Sequence, residues 1–145
     1  MKRKANAQWI GKGSKGSGML NTTSGVLDQT PYNFKLRFED ESGKAGTNPE
    51  ELIAAAHSGC YAMALSFAIE QAGFTADQLD AQATVQLDQV EGGFAISSIT
   101  LDVKGKVADM PEDHFMKLAE DAKENCPVSQ ALSAVPIHLN ASFAQ

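Results

Sequence analysis

Thiols are scarce in this chain. Cys60 and Cys126 are the only cysteines in 145 residues, too few for a disulfide framework. Histidine is scarce too, with three in all. Beside His57-x-x-Cys60 only His114 and His138 remain; with no second Cys/His pair at ligand spacing, a zinc site is not supported. Basic residues cluster only at Lys2, Arg3, Lys4, Lys12 and Lys15, with no interleaved aromatic platform, in a chain of net charge −6. That balance argues against nucleic acid as a partner. Internal repeats and low-complexity tracts are absent. Ala5 to Gly18 holds no apolar run of signal-peptide length, so we expect a cytoplasmic protein, whose cysteines are reduced, catalytic or incidental rather than structural. The longest apolar stretch, Leu52 to Ile69, is interrupted by His57, Ser58, Gly59 and Ser66 and flanked by Glu50, Glu51 and Glu70. It reads as a buried helix and not as a membrane span, which wants roughly 20 mostly apolar residues.

What is present is enough apolar material, 43% of residues, to bury one core, and we read 1–145 as a single domain. Lys4 to Ile10 and Met19 to Thr23 read as two strands turned through the glycines of Gly11 to Gly18. Phe34, Leu36 and Phe38 alternate with Lys35, Arg37 and Glu39, the period of a half-buried strand, with Arg37 on its polar face. Glu41 to Gly46 reads as a loop. Asn48-Pro49-Glu50-Glu51 is a helix start, with Asn48 as N-cap and Glu51 completing a capping box. The helix should run to Ala72 and stop at Gly73. Its apolar residues fall on nearly every face, more than a monomer of this size can surround, so we expect a second subunit against it.

Further on, Ala83, Val85 and Leu87 alternate into a turn at Glu91-Gly92-Gly93. The return strand carries Phe94 and Ile96 on even positions but Ile99, Leu101 and Val103 on odd ones, a phase change that predicts a β-bulge near Ser97-Ser98. Pro111 to Lys123 is an amphipathic helix, a short helix follows Pro127, and Ile137 to Phe143 alternates as a last strand. The order gives an α+β fold with mainly antiparallel pairing.

Chemistry, if any, rests on the thiols. Cys60 lies within the apolar helix with His57 three residues before it on the same face. It reads either as a small packing residue or as a reactive thiol. Pro127 should end one helix and begin another, leaving Cys126 near unpaired backbone N–H groups that favour a thiolate. With Glu51 engaged at the cap, Glu50 is free for other work. Ten residues separate it from Cys60, about 15 Å of rise and about 80° of facing on a straight helix, so direct contact would need a break at Ser58-Gly59.

Thr47-Asn48-Pro49-Glu50-Glu51-Leu52-x-Ala54-Ala55-Ala56-His57-x-x-Cys60 and Cys126-Pro127-Val128-Ser129-Gln130-Ala131-Leu132 resemble the two cysteine motifs of the OsmC/Ohr family of organic hydroperoxide reductases. Ser24-Gly25-Val26-Leu27, Arg37-Phe38-Glu39 and His57 resemble its OsmC branch. The resemblance implies an intertwined homodimer, with antiparallel sheets around two long central helices and active sites at the subunit interface. It implies a peroxidase in oxidative or osmotic stress defence, with Cys60 the attacking thiol, Cys126 the resolving thiol, and Arg37 with Glu50 a polar pair that steadies thiolate and peroxide. Met63 and Phe67 beside Cys60 would suit the alkyl group of an organic hydroperoxide. An external thiol or dithiol would reduce the Cys60–Cys126 disulfide, with no cofactor or metal. Two other readings stay open: a non-catalytic dimeric binding protein whose cysteines only pack, and a metal-binding or hydrolytic site using His57 and Cys60.

Overall fold

The computed structural model describes residues 1–40, 42 and 44–144. The chain divides into two compact units, 1–52 and 53–145, each treated by itself.

In the first unit β1 (Ala5–Ile10), β2 (Ser17–Thr22) and β3 (Thr30–Asn33) form an antiparallel sheet in that order. The register runs from Ala5↔Thr22 to Ile10↔Ser17, with a single 3-10 turn at Gly13–Lys15 between the strands. Gly18 is required by its neighbour: an added Cβ would lie 2.4 Å from the Tyr32 ring. With that space open, Trp9 and Tyr32 pack with ring centroids 5.4 Å apart.

The expected strand at Phe34–Phe38 is a short helix, α1 (Phe34–Phe38). Asn33 decides this, because its side chain accepts the Leu36 N–H at 2.9 Å and so caps a helical turn. Five residues of alternating pattern also place Phe34 and Phe38 at i, i+4, where their rings meet at 4.7 Å. Arg37 therefore projects from a helix and not from a strand's polar face. Of the expected Glu41 to Gly46 loop, Glu41 and Gly43 lie outside the described residues; around them Asp40 accepts from the Ser42 N–H at 3.1 Å and the Ala45 N–H at 3.3 Å.

Helix α2 (Pro49–Gln71) starts as expected, with the Asn48 side chain accepting the Glu51 N–H at 2.8 Å. The Glu51 carboxylate accepts from the Thr47 hydroxyl at 2.9 Å, so the reciprocal half of the capping box is replaced by a bond one residue upstream. The helix is continuous through Ser58 and Gly59, and the break considered there does not occur. A glycine inside a helix costs only about 1 kcal/mol relative to alanine, less than the loss of packing that a break would bring. At its far end Gly73, at φ +88°, donates to the Glu70 carbonyl and Phe74 to the Ile69 carbonyl, a Schellman termination.

In the second unit one row of α2, His57, Tyr61, Leu65 and Ile69, is fully buried. Met63 and Phe67, by contrast, stand 62% and 58% exposed. By length and composition α2 is the one helix among the described residues that could cross a membrane, yet its buried row belongs to a compact core built with the sheet. The long hairpin β4 (Ala76–Val90) and β5 (Gly93–Val107) pairs antiparallel. Gln86 faces Ser98 while Leu87 faces Ile96, leaving Ser97 as the extra residue of the expected bulge. Beyond it Ile99, Leu101, Val103 and Val107 are buried.

Helix α3 (Glu112–Asn125) buries Phe115, Ala119 and Ala122 on this core. The Phe115 ring sits over Gly105, where a Cβ would come within 2.2 Å. Next come α4 (Pro127–Ala131) and β6 (Ile137–Ala144). The sheet order is β4-β5-β6, and β6 runs parallel to β5 from Ile99↔Ile137 to Lys106↔Ala144. This is the one exception to antiparallel pairing among the described strands, and α3 and α4 supply the long crossover that a parallel connection needs.

Candidate active site

Two helical elements of the second unit bring the thiols together. Cys60 is half-buried on α2, next to the buried row. Cys126 is 0% exposed at the junction where Pro127 stops α3 and starts α4. Its N–H closes α3 onto the Ala122 carbonyl, and its own carbonyl accepts from Gln130 as the first bond of α4. Both thiols are free.

The thiols act on each other, and their surroundings push them in opposite directions. Cys60 is raised above its ordinary value, first by burial and then by hydrogen bonding to Cys126; the backbone N–H of Val128 opposes this only in part. At Cys126 burial pushes upward, but the Ser129 N–H, the Cys60 thiol, the Ser129 hydroxyl and the Val128 N–H outweigh it and leave this thiol lowered. The cause is the start of α4, whose first N–H groups have no partner within the helix.

His57 does not serve Cys60 as the i−3 spacing suggested. Its Nε2 lies 2.8 Å from the Ser129 Oγ of α4, and burial lowers its pKa, which disfavours the charged imidazolium. Tyr61 donates its hydroxyl to the Ala119 carbonyl at 3.1 Å and is raised by burial, Glu120 and Cys126. No group of three or more His, Cys, Asp and Glu among the described residues could hold a metal ion. His114 stands edge-on to Phe74, and His138 is exposed on β6.

Arg37 and Glu50 meet in the first unit. The guanidinium donates through Nη2 to Oε1 at 2.6 Å and through Nε to Oε2 at 3.2 Å, a two-point geometry that fixes both side chains. The guanidinium also lies 5.0 Å from the centre of the Phe38 ring. Trp9, Tyr32, Phe34, Phe38 and Pro49 line a mainly apolar cavity of about 180 Å³ beside Arg37. Met63 and Phe67 follow Cys60 at i+3 and i+7 on α2, on the face that stays exposed in the single chain.

Sequence reasoning named the two thiols and the Arg37 and Glu50 side chains but missed Ser129 and the aromatic walls of Trp9 and Tyr32. Ser129 had one readable signal, its place three residues after a helix-starting cysteine, where an N–H and a hydroxyl both face the cap.

The chain is similar to known proteins in sequence and in fold. The family model described as OsmC-like protein matches residues 40–140. The chain is 47% identical over 132 residues to peroxiredoxin OsmC of Escherichia coli (strain K12), covering 91% of this chain and 90% of that protein. It is 31% identical over 116 residues to organic hydroperoxide resistance protein OhrB of Bacillus subtilis (strain 168), covering 79% and 81%. The crystal structure of OhrB superposes with a TM-score of 0.74 at 28% identity, over 96% of this chain and 98% of that one. An OsmC-like protein from Mycoplasma pneumoniae superposes at 0.76 and 15% identity, over 100% and 99%, a likeness of fold.

Proposed function

Since the chain belongs to the family of OsmC-like proteins, we propose that it is a thiol peroxidase that reduces organic hydroperoxides to alcohols through Cys60 and Cys126. The observation that carries this reading is the thiol pair itself: two free cysteines from distant parts of one unit that act directly on each other. Packing alone does not call for a second sulfur at that spot.

In the first step the Cys60 thiolate attacks one oxygen of R–O–O–H. An S–O bond forms, the O–O bond breaks, and the alkoxide leaves as alcohol after taking a proton; sulfur is oxidised to sulfenic acid and the peroxide is reduced. Cys60's own neighbours raise its pKa, so the attacking anion needs positive charge from elsewhere. Arg37, steadied by Glu50, supplies it in this reading, favouring the thiolate and stabilising negative charge as it develops on oxygen.

In the second step Cys126 attacks the sulfenic sulfur, an S–S bond forms, and the hydroxyl leaves as water. An external thiol or dithiol then reduces the disulfide by exchange. Met63 and Phe67 beside Cys60 suit an alkyl group better than hydrogen peroxide. The exposed Met63–Phe67 face is the natural seat of a second copy, as in an intertwined homodimer. We place the protein in the cytoplasm, where a reduced thiol pair is maintained, acting in defence against oxidative or osmotic stress.

Thiol titration before and after one equivalent of an alkyl hydroperoxide tests the reading. Both thiols should vanish together and return with a dithiol reductant, and turnover across a panel should favour organic peroxides. Thiols that persist while the peroxide remains intact would leave only a dimeric binding protein with packing cysteines.

A further inference from the structure

His57 is fully buried, and the peroxidase chemistry above makes no use of it. Its Nε2 is 2.8 Å from the Ser129 Oγ, while its Nδ1 is buried with no hydrogen-bond partner. The two neutral tautomers therefore differ sharply. With the proton on Nδ1, a buried N–H donor would be orphaned; with it on Nε2, only a lone pair is left unpaired, the better tolerated of the two. The Nε2–H tautomer donates to Ser129, which leaves the hydroxyl's own proton free to donate onward. Ser129 is the third residue of α4, and Cys126 is the residue that caps that helix. At the third position the backbone N–H faces the cap, and the Ser129 hydroxyl stands on the same residue.

We propose that His57 and Ser129 form a positioning pair for the resolving thiol, in which the His57 Nε2–H holds the Ser129 oxygen and so aims the Ser129 hydroxyl at the Cys126 sulfur. The inference rests on the peroxidase reading for its biological use but not for its physics. Ser129 favours the Cys126 thiolate through both its N–H and its hydroxyl, and burial keeps the imidazole neutral, so the effect is one of orientation and not of charge. Of the other titratable groups acting on this sulfur, Cys60 donates to it, and Tyr61, held at the Ala119 carbonyl, stays protonated. Glu120 of α3 acts on Tyr61. The consequence falls on disulfide formation, because the fraction of Cys126 present as thiolate sets how fast the sulfenic acid on Cys60 is resolved.

The test begins in a Cys60→Ala background, where Cys126 is the only thiol and no peroxide is needed. Its thiolate ultraviolet absorbance is followed against pH. His57→Phe fills the space without an N–H, and Ser129→Ala removes the hydroxyl; each should raise the midpoint by about one pH unit, a tenfold loss of thiolate below it. His57→Gln, which can present an amide N–H near the same place, should bring the midpoint most of the way back. The double variant His57→Phe with Ser129→Ala should show no more than Ser129→Ala alone. With both cysteines present, His57→Phe should let sulfenic acid accumulate to trapping before the disulfide forms. Midpoints that do not move in either single variant, or that move equally in His57→Phe and His57→Gln, would overturn the proposal. A native chain that leaves alkyl hydroperoxide intact while these midpoints move would sink the peroxidase reading and leave the positioning pair standing.

Discussion

Cys60 and Cys126 share one unit and act on each other, yet one sits in the middle of a long helix and the other at the seam between two. In the middle of α2 the helix's own N–H groups are spent, so Cys60 meets burial and a neighbouring thiol, both of which raise it, and only the Val128 N–H works the other way. At the α3–α4 seam the unspent N–H groups of Ser129 and Val128, together with the Cys60 thiol and the Ser129 hydroxyl, outweigh burial and lower Cys126. The difference teaches that this unit by itself favours the thiolate of Cys126 and not that of Cys60. In the proposed reaction Cys60 needs favouring charge beyond what these neighbours supply.

The comparison is open to a decisive break. If Cys60 attacks despite its raised pKa, Cys60→Ser should lose peroxide consumption even in a single turnover, because a serine hydroxyl provides no comparable anion near neutral pH. Cys126→Ser should still consume about one peroxide per subunit and then stall as sulfenic acid, or pass to sulfinic acid with excess oxidant. Rapid mixing with one equivalent of alkyl hydroperoxide reads both. Full activity in Cys60→Ser with none in Cys126→Ser would reverse the assignment and make the lower thiol the attacker.

A smaller effect is expected at Arg37. Arg37→Met removes the charge while keeping much of the side chain's bulk, so the first step should need a higher pH. At a fixed pH below the thiol's midpoint, the rate should fall about tenfold if that midpoint rises by one pH unit. The pH profile of the single-turnover rate checks this; an unchanged profile would mean that Arg37 does not act on Cys60. Smaller again, and indirect, is the expected effect of Phe67→Glu, which puts a charge on the exposed apolar face of α2. It should move the mass at low micromolar concentration towards monomer. Native secondary structure together with an unchanged dimer mass would remove that face from consideration.

How far these regions could be read in advance depends on how repetitive their physics is. The β4–β5 bulge was legible because a period-2 pattern can change phase only by inserting a residue, and Ser97 is that residue. The start of α2 was legible because Asn48 and Pro49 each have a local job. Helix α1 was misread because five residues hold one cycle of either period, and Asn33, which decides between them, lies outside the pattern. Gly59 was given too much weight, since a buried row four residues apart carries α2 across it. The thiols were legible by motif, but the His57–Ser129 contact was not: it joins residues 72 positions apart, and the helical period that buries His57 does not say which side chain it meets.

The smallest predicted effect comes from that contact and concerns stability. Burial lowers the His57 pKa from its ordinary 6.5, so the unfolded chain takes up a proton at a higher pH than the folded one. Stability from this group is fully present above about 6.5 and is lost progressively as pH falls through the lowered folded value. A gap of one pH unit between the two values corresponds to about 1.4 kcal/mol at most. Urea unfolding between neutral and mildly acidic pH should therefore show a decline that His57→Gln flattens, because glutamine keeps a donor for Ser129 and binds no proton. A decline of the same slope in both proteins would assign the acid sensitivity to groups other than His57.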